Sequence, residues 1–148
     1  MGASGWEYFV PYQEDLQQAL QELRDQVFQA REYLWDPWVP EEQRRPWPAT
    51  IEALWADEVV QHNGTHSILD MFQVLDADAV VPDQESAFAV QVVGPEEAFR
   101  HLGARKITRA HVPEFEVFRG WRWFGRCAVL HDDRGVPTEI CFWGFSGD

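Results

Sequence analysis

The chain is expected to fold as an α+β domain in which an antiparallel sheet, ending in a C-terminal β-hairpin, is packed by an N-terminal amphipathic helix and shorter helices. Three observations point there. Leu16, Ala19, Leu20, Leu23, Val27, Ala30 and Leu34 recur at spacings of three and four, the period of a helix with one apolar stripe. Two apolar runs, 127–130 and 140–145, flank the turn-forming Asp132-Asp133-Arg134-Gly135. Strand and helix patterns follow one another without the regular strand–helix alternation of a parallel array, so helices on one face of an antiparallel sheet are expected.

Taken in order, residues 7–10 form a short apolar run closed by Pro11 and read as a first strand. The amphipathic helix starts after Asp15 and stops before Asp36-Pro37, with Gln17, Gln21, Arg24, Asp25 and Gln29 facing away from the stripe. Residues 36–48 hold four prolines and read as an irregular connector that Trp38 and Trp47 hold against the domain. Thr50 caps a helix over 51–58, and Asn63-Gly64 ends that region. Residues 67–75 are apolar on both sides, the mark of a central strand covered on two faces. After an acidic loop over 76–85, residues 87–93 read as a strand, and Gly94-Pro95-Glu96-Glu97 opens a helix that Gly103 closes. Thr108 caps a short helix limited by Pro113, and the hairpin follows.

At 148 residues the chain is one domain, 1–148, large enough for a single core. The formal charge is −13, from 25 acids and 12 bases, and every base but Lys106 is Arg. Phosphate contacts need a basic face, so nucleic acid and an anionic membrane surface are both disfavoured. No apolar run approaches the ~20 residues of a membrane-spanning helix, and no secretory signal is visible, so a cytoplasmic location is expected. Cys127 and Cys141 are too few for a disulfide scaffold.

Two groups of residues invite a functional reading. His62, His66 and Asp70 are spaced by four, which on one helix would stack three metal ligands; Asn63-Gly64 interrupts that helix, and a buried Asp70 bonded to Thr65, Ser67 or turn amides is the plainer reading. The second group is aromatic. Phe115, Phe118, Trp121, Trp123 and Phe124 precede the hairpin, Phe142, Trp143 and Phe145 close it, and Arg119, Arg122 and Arg126 are interleaved. Trp with Arg is the composition of interface hot spots, so Arg119, Trp121, Arg122, Trp123 and Trp143 are the expected binding residues. A three-residue hairpin loop with Gly135 left-handed sets Ala128 against Ile140 and Cys127 opposite Cys141, two small thiols packed together. No Gly-rich phosphate loop, nucleophile elbow or Cys-x-x-Cys pair occurs.

Three stretches, GWEYFVPYQEDLQQALQELR, NGTHSILDM and EICFWGFSGD, resemble segments of an uncharacterised group of small acidic bacterial proteins. The resemblance implies a stand-alone bacterial domain and carries no activity, cofactor or catalytic residue. The expected function is therefore non-enzymatic binding of a protein partner, with a homodimer possible and no cofactor. The alternative is a small metal-dependent enzyme centred on His62, His66 and Asp70.

Overall fold

The hairpin from the end of the chain forms the middle of the sheet. A computed structural model describes residues 4–118 and 120–146. Its strands are β1 (Ser4–Pro11), β2 (Gln73–Leu75), β3 (Ala89–Val92), β4 (Phe124–His131) and β5 (Pro137–Ser146), and its α-helices are α1 (Leu16–Gln29), α2 (Ile51–Trp55), α3 (Glu58–Asn63) and α4 (Pro95–Leu102). The strand order is β1-β5-β4-β3-β2. The β1–β5 and β5–β4 pairings are antiparallel, whereas β4–β3 and β3–β2 are parallel. The α+β class holds, and the sheet is mixed. Parallel neighbours need a long crossover, and the one from β3 to β4 contains α4 and a 3₁₀ helix, Arg109–Phe118, that continues through Pro113.

Helices lie on both faces instead of one. Ile140 and Phe142 of β5 join a core with α1, α2 and α3, through Leu20, Leu23, Val27, Leu54 and Val60. Their neighbours Cys141 and Trp143 point the other way and join a smaller core with Ala98 of α4 and with Ile107, Phe115 and Phe118. Alternation along one strand thus feeds two cores. Gly125 and Gly144 face each other across β4 and β5 and leave a slot for the Trp6 indole; a Cβ at Gly144 would lie 2.8 Å from that ring.

Several local expectations change. The α1 cap is Asp15, which accepts the Gln18 N–H, and the helix ends at Gln29. Arg24 does not face away. It is buried, donates to the Leu69 carbonyl at 3.3 Å and lies over the Phe72 ring. The 51–58 helix is two helices, because the Asp57 carboxylate caps the Val59 and Val60 amides and starts α3 anew. Only Gln73–Leu75 of the expected 67–75 strand is strand, and it forms an edge; Ile68–Asp70 is a 3₁₀ turn capped by the Ser67 hydroxyl. The hairpin turn forms as expected, with Gly135 at φ 77° and Asp132 donating its N–H to Val136. A bulge at Leu130/His131 then shifts the register by one, pairing Ala128 with Cys141 and Cys127 with Phe142. The two thiols therefore lie on opposite faces, buried and free.

The connector is held by Arg45. Its guanidinium bonds Asp36 at 2.5 and 2.9 Å and Asp57 at 2.5 Å, over the Trp35 ring. These bonds hold the Asp36 and Asp57 carboxyls below the ordinary carboxylate range.

Candidate functional site

Asp70 is fully buried where β1, β5 and the 64–70 loop meet. Its Oδ1 accepts the Thr65 N–H at 2.7 Å and the Thr65 hydroxyl at 2.8 Å, and its Oδ2 accepts the His66 N–H at 3.2 Å. The Thr65 hydroxyl gives its proton to Asp70 and so accepts from Ser67 at 2.6 Å, and Ser67 in turn accepts the Leu69 N–H. From the other side the Ser146 hydroxyl donates to Asp70 and accepts the Trp6 indole N–H at 3.0 Å. Burial pushes the Asp70 carboxyl up, against the lowering pull of the Ser146 and Thr65 bonds. The stretches 5–24, 63–71 and 139–148 meet here, one residue or more from each bonding into this network.

These contacts turn Asp70 into the organiser of a loop. Gly64, at φ 75°, allows the chain to double back; a Cβ there would lie 2.6 Å from the Trp123 ring and 2.8 Å from Asp70 Oδ2. His62 is exposed on α3 and bonds the Glu58 carbonyl of its own helix at 3.0 Å. His66 is half-buried with φ 55°, and it is its backbone N–H that reaches Asp70. The expected ligand trio thus does not converge, and among the described residues no three His, Cys, Asp or Glu side chains group so as to hold a metal ion.

The aromatic group divides in the same way. Trp143 is 8% exposed and stacks on Phe115 at 4.2 Å, so it packs in the smaller core and takes no part in an exposed patch with Trp121 and Arg122. Trp123 is half-buried, with φ 64°, and its ring packs on Phe88 at 5.3 Å. Arg126 is buried, pairs with Glu97 of α4 at 2.5 and 3.0 Å, and donates to the Gln91 carbonyl, so it fastens α4 to the sheet. Trp121, 61% exposed, and Arg122 remain at the surface. Arg119 lies outside the described residues. Trp121 forms one wall of a groove of about 480 Å³ with Val81, Pro82, Asp83 and Gln84, and Val80 beside it is 89% exposed. Residues 80–82 lie in the acidic loop over 76–85, which has no periodicity from which to read what it faces.

A second concavity, about 560 Å³, lies between the 109–118 helix and the β1–β5 pair, lined by Glu7, Val112, Phe115, Glu116, Trp143 and Phe145 among others. The Trp143 indole N–H, buried in its wall, has no acceptor among the described residues. The thiols offer no nucleophile: burial pushes Cys127 up to about 12 and raises Cys141 as well. No protein-family model matches the chain, and no curated protein or solved structure matches it either. No helix among the described residues is long and apolar enough to cross a membrane.

Proposed function

We propose that the protein is a non-enzymatic binding module of the bacterial cytoplasm that docks a protein partner through a surface centred on Trp121 and Arg122, as a regulator, an immunity-type inhibitor or an accessory subunit. The observation that carries this reading is the exposure of Trp121 beside Val80, Val81 and Pro82. A large ring left in water gains roughly 25 cal/mol per Å² when a partner covers it, and Trp and Arg are the residues that most often anchor such contacts. Free buried thiols fit a reducing compartment.

The test places a photo-crosslinking side chain at Gln84, in the groove, within cells that carry the gene. A discrete cross-linked protein, lost on Trp121→Ala and retained on Trp143→Phe, supports the reading. A cross-link to a second copy makes the partner a homodimer mate. A cross-link unaffected by both Trp121→Ala and Arg122→Ala overturns it.

A further inference from the structure

β1 is an edge strand, and its hydrogen-bond parity can be read from two bonds. Tyr12 donates its N–H to Thr138, so even-numbered residues on this part of β5 face β1; the Phe145 carbonyl accepts from Trp123 on the β4 side, so odd-numbered ones face away. In the β1–β5 register Trp6, Tyr8 and Val10 oppose Gly144, Phe142 and Ile140 and turn their backbone groups inward. Gly5, Glu7 and Phe9 therefore direct theirs to the open side of the sheet. Natural edges are blunted by charge and proline. Here Pro11 removes a donor at one end, and there the Arg109 guanidinium lies 3.6 Å over the Phe9 ring and pairs with Glu139 at 2.8 Å. The half of β1 around Glu7 has no proline, its charge is the Glu7 carboxylate, and it borders the 560 Å³ cleft.

We infer that this edge and its cleft form a second docking site, which takes an extended basic peptide segment of a partner protein as a sixth strand. Main-chain bonds to Gly5, Glu7 and Phe9 would hold the segment, as in strand addition generally. Its side chains on the Glu7 face would enter the cleft, whose floor is the Phe115–Trp143 stack and whose rim carries Glu7 and Glu116. Arg suits that combination, with an aliphatic stem for the aromatic floor and a guanidinium for a carboxylate. The basic residue belongs beside Glu7, because one beside Phe9 would meet Arg109. A second copy of the chain fits poorly. Antiparallel pairing of two β1 strands centred on Glu7 would set carboxylate against carboxylate, between chains each carrying −13.

The probe is a blocked Val- and Thr-rich peptide carrying a single central Arg, with a Glu-for-Arg counterpart as control, titrated into the full chain and followed by amide exchange. The Arg peptide is expected to slow exchange at Gly5, Glu7 and Phe9 by at least ~10-fold. Glu7→Gln should weaken binding by about tenfold and Glu7→Pro, which removes an outward N–H without touching a β1–β5 bond, should abolish it. Trp121→Ala should leave it unchanged, which separates this site from the Trp121 surface. Equal binding of the Glu peptide, binding by the Glu7→Pro variant, protection elsewhere, or protection of these amides by self-association without peptide would each overturn the inference.

Discussion

Neighbouring residues of β5 supply the two faces of the sheet, yet the faces are finished differently. On the α1 side, Ile140 and Phe142 lie under three helices, and the polar groups buried there feed one another through Thr65, Ser67, Ser146 and Trp6 into Asp70. On the α4 side, Cys141 and Trp143 lie under one α-helix and a 3₁₀ helix beside an open cleft; each side keeps one buried donor without an acceptor among the described residues, the Arg24 Nε–H on the first and the Trp143 indole N–H on the second. Closure in this protein follows helix cover and the connected network around Asp70. One such donor costs about 1–3 kcal/mol on either face, so what separates them is the connected network around Asp70, which suits the α1 face to hold the fold, and the cleft, which gives the α4 face room for a ligand.

Truncating a ring on each side should separate the two faces by the widest margin. Phe142→Ala should cost about 3–5 kcal/mol of unfolding free energy, since nothing on its sealed side can collapse into the cavity. Phe115→Ala should cost less, about 2–3 kcal/mol, because water from the cleft can fill the space. Urea denaturation of both variants measures the gap, and equal losses would mean that the faces are equally sealed.

A second effect has opposite signs in two places. Asp70 titrates above its ordinary value in the folded chain, so its contribution is full below about pH 4 and is lost as pH rises through the folded value. Asp36 titrates below its ordinary value, so its contribution is full above about pH 4 and is lost as pH falls through the folded value. Stability measured against pH should therefore show wild type gaining on Asp70→Asn, and losing to Asp36→Asn, as acid is added. Parallel difference curves would refute the assignment for Asp70.

The two buried thiols report on the same two faces. Neither thiol should react quickly in the folded protein, but Cys141, under the smaller core, should label about tenfold faster than Cys127 through local opening. Mass spectrometry of a labelling time course reads the order, and Cys127 reacting first would reverse the ranking of the faces. The smallest effect is expected for Trp143→Phe, which loses ring area but also removes the orphan donor; the two should nearly cancel, leaving a change within ~1 kcal/mol in a thermal melt.

Local pattern determined a good part of this protein. The start of α1 after Asp15, the Thr50 cap, the Gly94-Pro95 opening and Gly103 close of α4, and the Asp132–Gly135 turn all depend on neighbours a few residues apart and stand where the spacing put them, whereas α1 stops at Gln29 short of Leu34. Asp70 was legible as a buried carboxylate bonded to Thr65 and turn amides, because its apolar neighbours left it no solvent. Only tertiary structure decided the rest. A single bulge moved Cys127 and Cys141 to opposite faces. The crossover through α4 made β3 and β4 parallel neighbours and covered the second face. Of the Trp and Arg residues near the hairpin, Trp143 and Arg126 became core, while Trp121 stayed in water. Those outcomes turn on which strand lies beside which, a choice made by contacts far apart in the chain, and residue type carries no record of that partner.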